Sequence, residues 1–212
     1  MNIAVISANG RAGTAFVKQA LKAGHKVRAG VYGNHNFAPI SNLQIVDCDA
    51  TSLSDIKKLI ASQDAVVSLI GHTKNAPKDV QTKAITNLVG AVSGSNIRIV
   101  SLTGTGVRFN GDKPSLIDKF LNFGIKSVDP NRINDGINHV EVLKNSQTNW
   151  TIIRVLKLSN TKPKKFSLKS GGPAKLLTSR AEVAEAILQV LGSDKYIKQA
   201  PIISTFKKVR YY

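Results

Sequence analysis

The chain opens on a continuous apolar run, Ile3-Ala4-Val5-Ile6, of the kind that fills a strand buried on both faces. The spacing of Ala15, Phe16, Gln19, Ala20 and Ala23 then predicts a helix, and Gly24 closes it as a left-handed cap. Val27, Ala29 and Val31 alternate as a second strand, and Leu43 to Val46 reads as a short third. Thr51 or Ser52 can cap a helix over 53–60, and the apolar stretch 64–70 is a fourth strand. Ile85, Leu88, Val89 and Val92 share one face of a helix over 77–93, followed by a fifth strand over 97–102. A helix over 132–145, a sixth strand over 149–155, a helix capped by Ser179 and running through Leu191, and a last strand over 201–204 complete the pattern.

Strands alternating with helices of this length mean right-handed βαβ crossovers and a parallel sheet. The expected fold class is α/β: one doubly wound, mostly parallel Rossmann sheet with helices on both faces, built from residues 1–212 as a single domain. A ligand should lie at the carboxyl ends of the strands, near the switch point between strands 1 and 4. The segments 103–131 and 156–178 break the alternation and are assigned to loops and short helices covering the substrate side.

Composition narrows this further. The 212 residues carry 30 Lys and Arg against 13 Asp and Glu, a net charge of +17, with 42% hydrophobic residues. That apolar fraction excludes a disordered polyelectrolyte. A lone cysteine, Cys48, excludes a disulfide framework and a cysteine zinc site. No apolar run is long enough to cross a membrane, and the first one is too short for a signal peptide, so a cytoplasmic protein without a membrane partner is expected. The charge is uneven. Val142 to Ala181 contains no acid but nine cations: Lys144, Arg154, Lys157, Lys162, Lys164, Lys165, Lys169, Lys175 and Arg180. Aromatics are only 6% and no aromatic–basic interleaving occurs, so no specific nucleic acid is expected. The basic stretch instead favours an anionic small molecule.

Between strand 1 and helix 1 lies Ser7-Ala8-Asn9-Gly10-Arg11-Ala12-Gly13. A pyrophosphate resting on a helix N-terminus needs small residues, free N–H groups and the positive end of the helix dipole, which this loop offers. The alternative is an ordinary tight βα turn. Gly10 and Gly13 keep part of a G-x-x-G-x-x-G pattern whose first glycine is Ser7. Arg11 could meet a ribose 2′-phosphate and favour NADP, whereas strand 2 ends in Tyr32-Gly33-Asn34-His35, without the Asp that would select NAD. NADP is the expected cofactor, with NAD possible.

Asp47-Cys48-Asp49-Ala50, Val67-Ser68-Leu69-Ile70-Gly71, Ile99-Val100-Ser101-Leu102, Asn149 to Arg154 and Ser179 to Ala184 follow in order. Together with the glycine loop, they resemble the atypical short-chain dehydrogenase/reductase group that includes NmrA-like and biliverdin reductase B/flavin reductase-like proteins. The resemblance implies that Asp49 and Ala50 lie on the adenine side and that Leu69, Ile70 and Gly71 pass the adenine ribose. It places Ser101, Leu102 and Thr103 near the nicotinamide, and Val155, Leu156 and Lys157 over its other side. It implies an NAD(P)H-dependent oxidoreductase acting on a flavin, quinone or similar conjugated molecule, as a monomer or homodimer, or else a non-catalytic NAD(P)-binding regulator of the NmrA type.

Two departures bear on chemistry. Tyr32 replaces the usual Arg after strand 2, and no tyrosine is followed by Lys four residues later, so the Tyr-x-x-x-Lys pair is missing. The remaining catalytic candidates are Ser101, His139, whose ordinary pKa suits proton exchange, and Lys157. His139 reads alternatively as a half-exposed helix residue, His72 as a loop residue, and Cys48 as inert. No histidine spacing suggests a metal.

Overall fold

The computed structural model describes residues 1–73 and 76–206. Strands β1 (Asn2–Ile6), β2 (Lys26–Val31), β3 (Leu43–Asp47), β4 (Ala65–Ser68), β5 (Arg98–Gly104) and β6 (Asn149–Val155) alternate with helices α1 (Arg11–Lys22), α2 (Leu53–Ile60), α3 (Val80–Val92), α4 (Leu116–Val128) and α5 (Pro130–Lys144). After β6 come β7 (Leu158–Ser159), β8 (Phe166–Lys169), β9 (Thr178–Ser179), α6 (Arg180–Leu191) and β10 (Ile202–Thr205).

The main sheet has the order β3-β2-β1-β4-β5-β6-β10-β8, and every pair in it is parallel except β10 with β8. Its strand order reverses between β1 and β4, as the sequence predicts. Ile3, Val5, Val27 and Ala29 pack with α1 and α6 on one face. Ala4, Ile6, Val66 and Ile99 pack with α2, α3 and α5 on the other. The central strands are apolar on both sides because helices cover both faces.

The local signals hold closely. Gly24 takes φ +81° behind α1, and the Ser52 hydroxyl accepts the Asp55 N–H at the start of α2. Ser179 and Glu182 form a capping box at α6. α3 starts at Val80 rather than residue 77, and its N-terminal amides are capped from another helix. Gln81 N and Thr82 N, each at 2.9 Å, donate to the buried carboxylate of Asp135 on α5.

Two segments differ from the expectation. Within 103–131 lies α4, a full 13-residue helix rather than short helices. Within 156–178, β8 forms the antiparallel edge of the main sheet, and β7 pairs with β9. The periodicity of α4 misleads because its apolar residues are split: Leu116, Phe120 and Phe123 face outward, while the inner side holds buried Asp118 with Leu121, Asn122 and Ile125 only half-buried.

Candidate functional site

Parallel strands bring the ends of β1 to β6 to one edge, and the residues singled out in the sequence fall there. At the β1–α1 turn, Ser7 has φ +60°, the left-handed conformation that favours glycine. Ser7 thus performs the turn of the missing first glycine, at the expense of backbone strain. Gly10 N donates to Ser7 O at 3.1 Å and tightens it. Gly13 is fixed by contact: a Cβ there would stand 2.2 Å from Ser7 O and 2.6 Å from Ala8 O. Gly10 caps α1 without a side-chain hydrogen bond, and the first helical turn contains no acid. The first amides of α1, at Arg11, Ala12 and Gly13, therefore meet no capping side chain of the turn. This cradle fits a pyrophosphate.

Asn9 ties the turn to the rim. Its side-chain amide donates to Tyr32 O and Asn34 O, both at 2.9 Å. Tyr32 itself is exposed beyond β2. Beyond β3, Asp49 accepts the Thr51 N–H at 2.8 Å, with Ala50 half-buried beside it. Leu69 is buried after β4, Ile70 is half-buried and Gly71 is exposed. Burial, with the charges of Asp55 and Asp49 adding to it, pushes the Cys48 thiol up to about 12, so it stays protonated and unreactive.

The second half of the site is made of side chains. Ser101 on β5 and His139 on α5 meet at 2.7 Å, Oγ to Nε2, and both are buried. Gly136 allows this approach, since a Cβ there would come 3.2 Å from Thr103 Oγ1 and 3.1 Å from Val107 Cγ2. Burial lowers the His139 pKa to about 4, against an opposing pull from the Asp135 charge. His139 is therefore neutral at pH 7, and it is buried rather than half-exposed.

The tautomer follows from hydrogen-bond accounting. His139 Nδ1 has no partner among the described residues. Placing the hydrogen on Nδ1 would orphan a buried donor, whereas placing it on Nε2 leaves only a lone pair unsatisfied. Nε2–H then donates to Ser101 Oγ, and the serine hydroxyl hydrogen is left to point elsewhere.

One turn before His139, Asp135 is nearly inaccessible. Besides capping α3, it pairs with His72 Nε2 at 2.8 Å. His72, read from the sequence as a loop residue, thus fastens the segment after β4 to α5. No local sequence signal marks this pair, because its partners are 63 residues apart.

Lys157, in contrast, is exposed, and its side chain makes no hydrogen bond among the described residues; the structure does not join it to Ser101 and His139. Val155 is buried and Leu156 half-buried just before it. The basic stretch is also less uniform than its sequence suggests. Arg154 is completely buried and forms a two-pronged pair with Asp112 at 2.5 and 2.8 Å, with Phe109 against its guanidinium. Burial raises the Asp112 pKa, but Arg154 and the Phe109 N–H outweigh it and hold the carboxyl below its ordinary value. Lys175 pairs with buried Glu182, and Lys144 with Glu141. Arg154, Lys144 and Lys175 therefore bind acids of this chain.

Arg180, which the sequence offers only as one of nine cations in the basic stretch, stands at the first position of α6. It feels the charge of Arg11, at the first position of α1. Burial first and Arg11 second lower its pKa, and its Nε has no partner among the described residues. Its Nη1 donates to Asn160 Oδ1 at 2.6 Å, and the next residue, Ala181, accepts from the Gln19 side chain on α1 at 3.0 Å, so α6 starts against the body of α1.

This architecture recurs in solved structures. A candidate NADH-flavin reductase from Streptococcus pneumoniae is 22% identical, with a TM-score of 0.78 over 98% of this chain and 100% of that one. An oxidoreductase from Lactococcus lactis is 15% identical, with a TM-score of 0.81 over 98% and 92%. A short-chain dehydrogenase/reductase from Veillonella parvula, in complex with NADP, is 15% identical, with a TM-score of 0.79 over 96% and 94%. At these identities the likeness is one of fold. No curated protein matches the sequence. A family model described as NAD(P)H-binding matches residues 7–194. The glycine-type turn, the parallel edge and this match agree: the chain belongs to the NAD(P)H-binding family.

Proposed function

We propose that the protein is an NAD(P)H-dependent oxidoreductase acting on a flavin, quinone or similar conjugated acceptor, with NADP preferred over NAD. The observation that carries this reading is the β1–α1 turn, where Ser7 adopts a glycine conformation and Gly13 touches its backbone beneath an uncapped helix.

In this reading the amides of Arg11, Ala12 and Gly13 hold the pyrophosphate, assisted by the Arg11 and Arg180 guanidiniums. Ser7, Asn9 and Gly10 set the shape of that cradle. Tyr32, Asp49 and Ala50 border the adenine end. Leu69, Ile70 and Gly71 line the ribose side, and Ser101, Leu102, Thr103, Val155 and Leu156 surround the nicotinamide end. When bound, the dinucleotide supplies the hydride.

Ser101 is the catalytic residue, and His139 is a positioning residue that acts through it. With Nε2–H fixing the serine oxygen, the hydroxyl donates its own hydrogen to a carbonyl or amide oxygen in the site. Neutral His139 does not supply the proton that a reduced acceptor needs. Flavins and quinones take that proton from water, which accommodates the missing Tyr-x-x-x-Lys pair. Exposed Lys157 serves at most as an attraction for an anionic substrate.

The test is oxidation of NADPH and NADH by the purified protein with a panel of flavins and quinones, with calorimetric affinity for both dinucleotides beside it. Turnover that prefers NADPH is expected. Dinucleotide binding without turnover on any acceptor would assign a regulator instead, and absence of binding would overturn both readings.

A further inference from the structure

We propose that α4 is a docking helix for an anionic lipid bilayer surface, in departure from the expectation of no membrane partner, which rested on the lack of a spanning apolar run and did not weigh a surface contact. Leu116, Phe120 and Phe123, at positions i, i+4 and i+7, form one stripe on α4 and are 82%, 75% and 70% exposed. Ile117 and Val128 widen the stripe and are exposed as well. A contiguous apolar face of this kind marks a surface that meets something apolar.

The inversion is held in place. On the opposite side of the helix, Asp118 is buried, pairs with Arg108 and accepts from Asn122 Nδ2 at 3.0 Å. The same Asn122 amide donates to Thr105 Oγ1 at 3.3 Å, in the loop after β5. A Cβ on Gly106 would come 2.8 Å from Asn122 Oδ1, so the loop fits closely against this inner side of α4, where Leu121 and Ile125 are half-buried beside Asp118 and Asn122. Turning the apolar stripe inward would break these polar contacts. Its outward orientation is thus specified.

Charge selects the occupant. Between Lys113 and Arg132 the exposed charges are all cationic: Lys113, Lys119, Lys126 and Arg132. The two acids of that segment are occupied, Asp118 with Arg108 and Asp129 in capping the Arg132 N–H. Lys119 and Lys126, seven residues apart, run along one edge of the stripe, where their stems can lie on apolar surface with their ammonium groups at lipid headgroups. An apolar face bordered by lysines is the signature of a helix lying in a membrane interface, and anionic lipid strengthens such binding. A second copy of the chain would bring the same cations, and another +17, against them. No helix among the described residues is long and apolar enough to cross a membrane, so the contact is peripheral.

Co-sedimentation with vesicles of phosphatidylcholine, with and without phosphatidylglycerol, tests this with the full chain. Binding is expected only with phosphatidylglycerol, and weaker in high salt. It should fall about tenfold or more in the Phe120→Asp/Phe123→Asp variant and about fivefold for each of Lys119→Gln and Lys126→Gln. Circular dichroism and dinucleotide affinity should stay at wild-type values, with Phe120→Ser/Phe123→Ser in reserve if the Asp pair disturbs folding. Failure to sediment with phosphatidylglycerol vesicles overturns the proposal. So does binding undiminished in the Phe variants, which would reduce it to the general charge of the chain. A concentration-dependent dimer by light scattering, lost in those variants, would assign the face to a second copy and also overturn it.

Discussion

The β1–α1 turn and the Ser101–His139 pair stand at the same edge of the sheet but are made of different material. The turn is backbone: a strained serine, two small glycines and a row of helix amides. None of its groups titrates, and its tolerance to substitution is set by distances of a few ångströms. The pair is two side chains from elements 38 residues apart, and its state depends on burial and protonation. The first is suited to holding a fixed anion and the second to orienting a reacting group. A single edge supports both because parallel strands deliver amides and side chains to the same place.

The largest break in this comparison comes from Gly13→Ala. One methyl group, 2.2 Å from Ser7 O, must displace the turn. NADPH affinity by calorimetry should fall about 100-fold, and overpacking should reduce stability by about 1–3 kcal/mol in urea unfolding. A Gly13→Ala protein with unchanged affinity would place the dinucleotide elsewhere.

Ser101→Ala and His139→Gln should separate the halves. Steady-state kinetics should show kcat about 30-fold lower for either variant, while dinucleotide affinity changes less than about threefold. The double variant should be little worse than the singles, because His139 acts through Ser101.

Protonation sharpens the contrast. His139 in the folded chain has a pKa of about 4, below its ordinary 6.5. As pH falls through 6.5 the unfolded chain takes up the proton first. Stability contributed by neutral His139 is therefore complete above pH 6.5. It declines by about 3 kcal/mol by pH 4. Urea unfolding across this range should show the decline in the wild type and a shallower one in His139→Gln. Dinucleotide binding at the turn should show no midpoint attributable to this histidine.

The smallest effect belongs to Ser7→Gly. A glycine relieves strain at φ +60° but adds freedom to the unfolded chain, so stability should shift by less than about 1 kcal/mol. NADPH affinity should stay within about twofold. A large loss would mean that the serine hydroxyl contacts the ligand.

Most of the fold was legible because its signals are local. Gly24, Ser52 and Ser179 mark helix ends through bonds made within a few residues, and Ile3 to Ile6 declares a strand covered on both faces. Two segments were misread for the same reason. α4 turns its largest apolar side chains outward and buries Asp118, so a reading that equates apolar with buried finds no core-facing helix there. β8 is an edge strand whose pairing partner, β10, lies some 35 residues later. In the site, Gly10, Gly13, Ser101 and His139 were visible as residue types at element ends. Arg180 was visible only as one cation of the basic stretch, because nothing near it in the sequence reports that α6 begins beside α1.

The sequence by itself determined the order of β1 to β6 and the glycine-type turn between β1 and α1, since period, caps and small residues act over short range. Tertiary structure decided the chemistry. It put His139 against Ser101 and excluded water, which makes the imidazole neutral. It turned Arg154 from one cation of the basic stretch into a buried partner of Asp112. It also set α4 with its apolar stripe to the outside. Burial and pairing are properties of the assembled molecule, and they change a side chain's charge state and availability without leaving a mark in its local sequence.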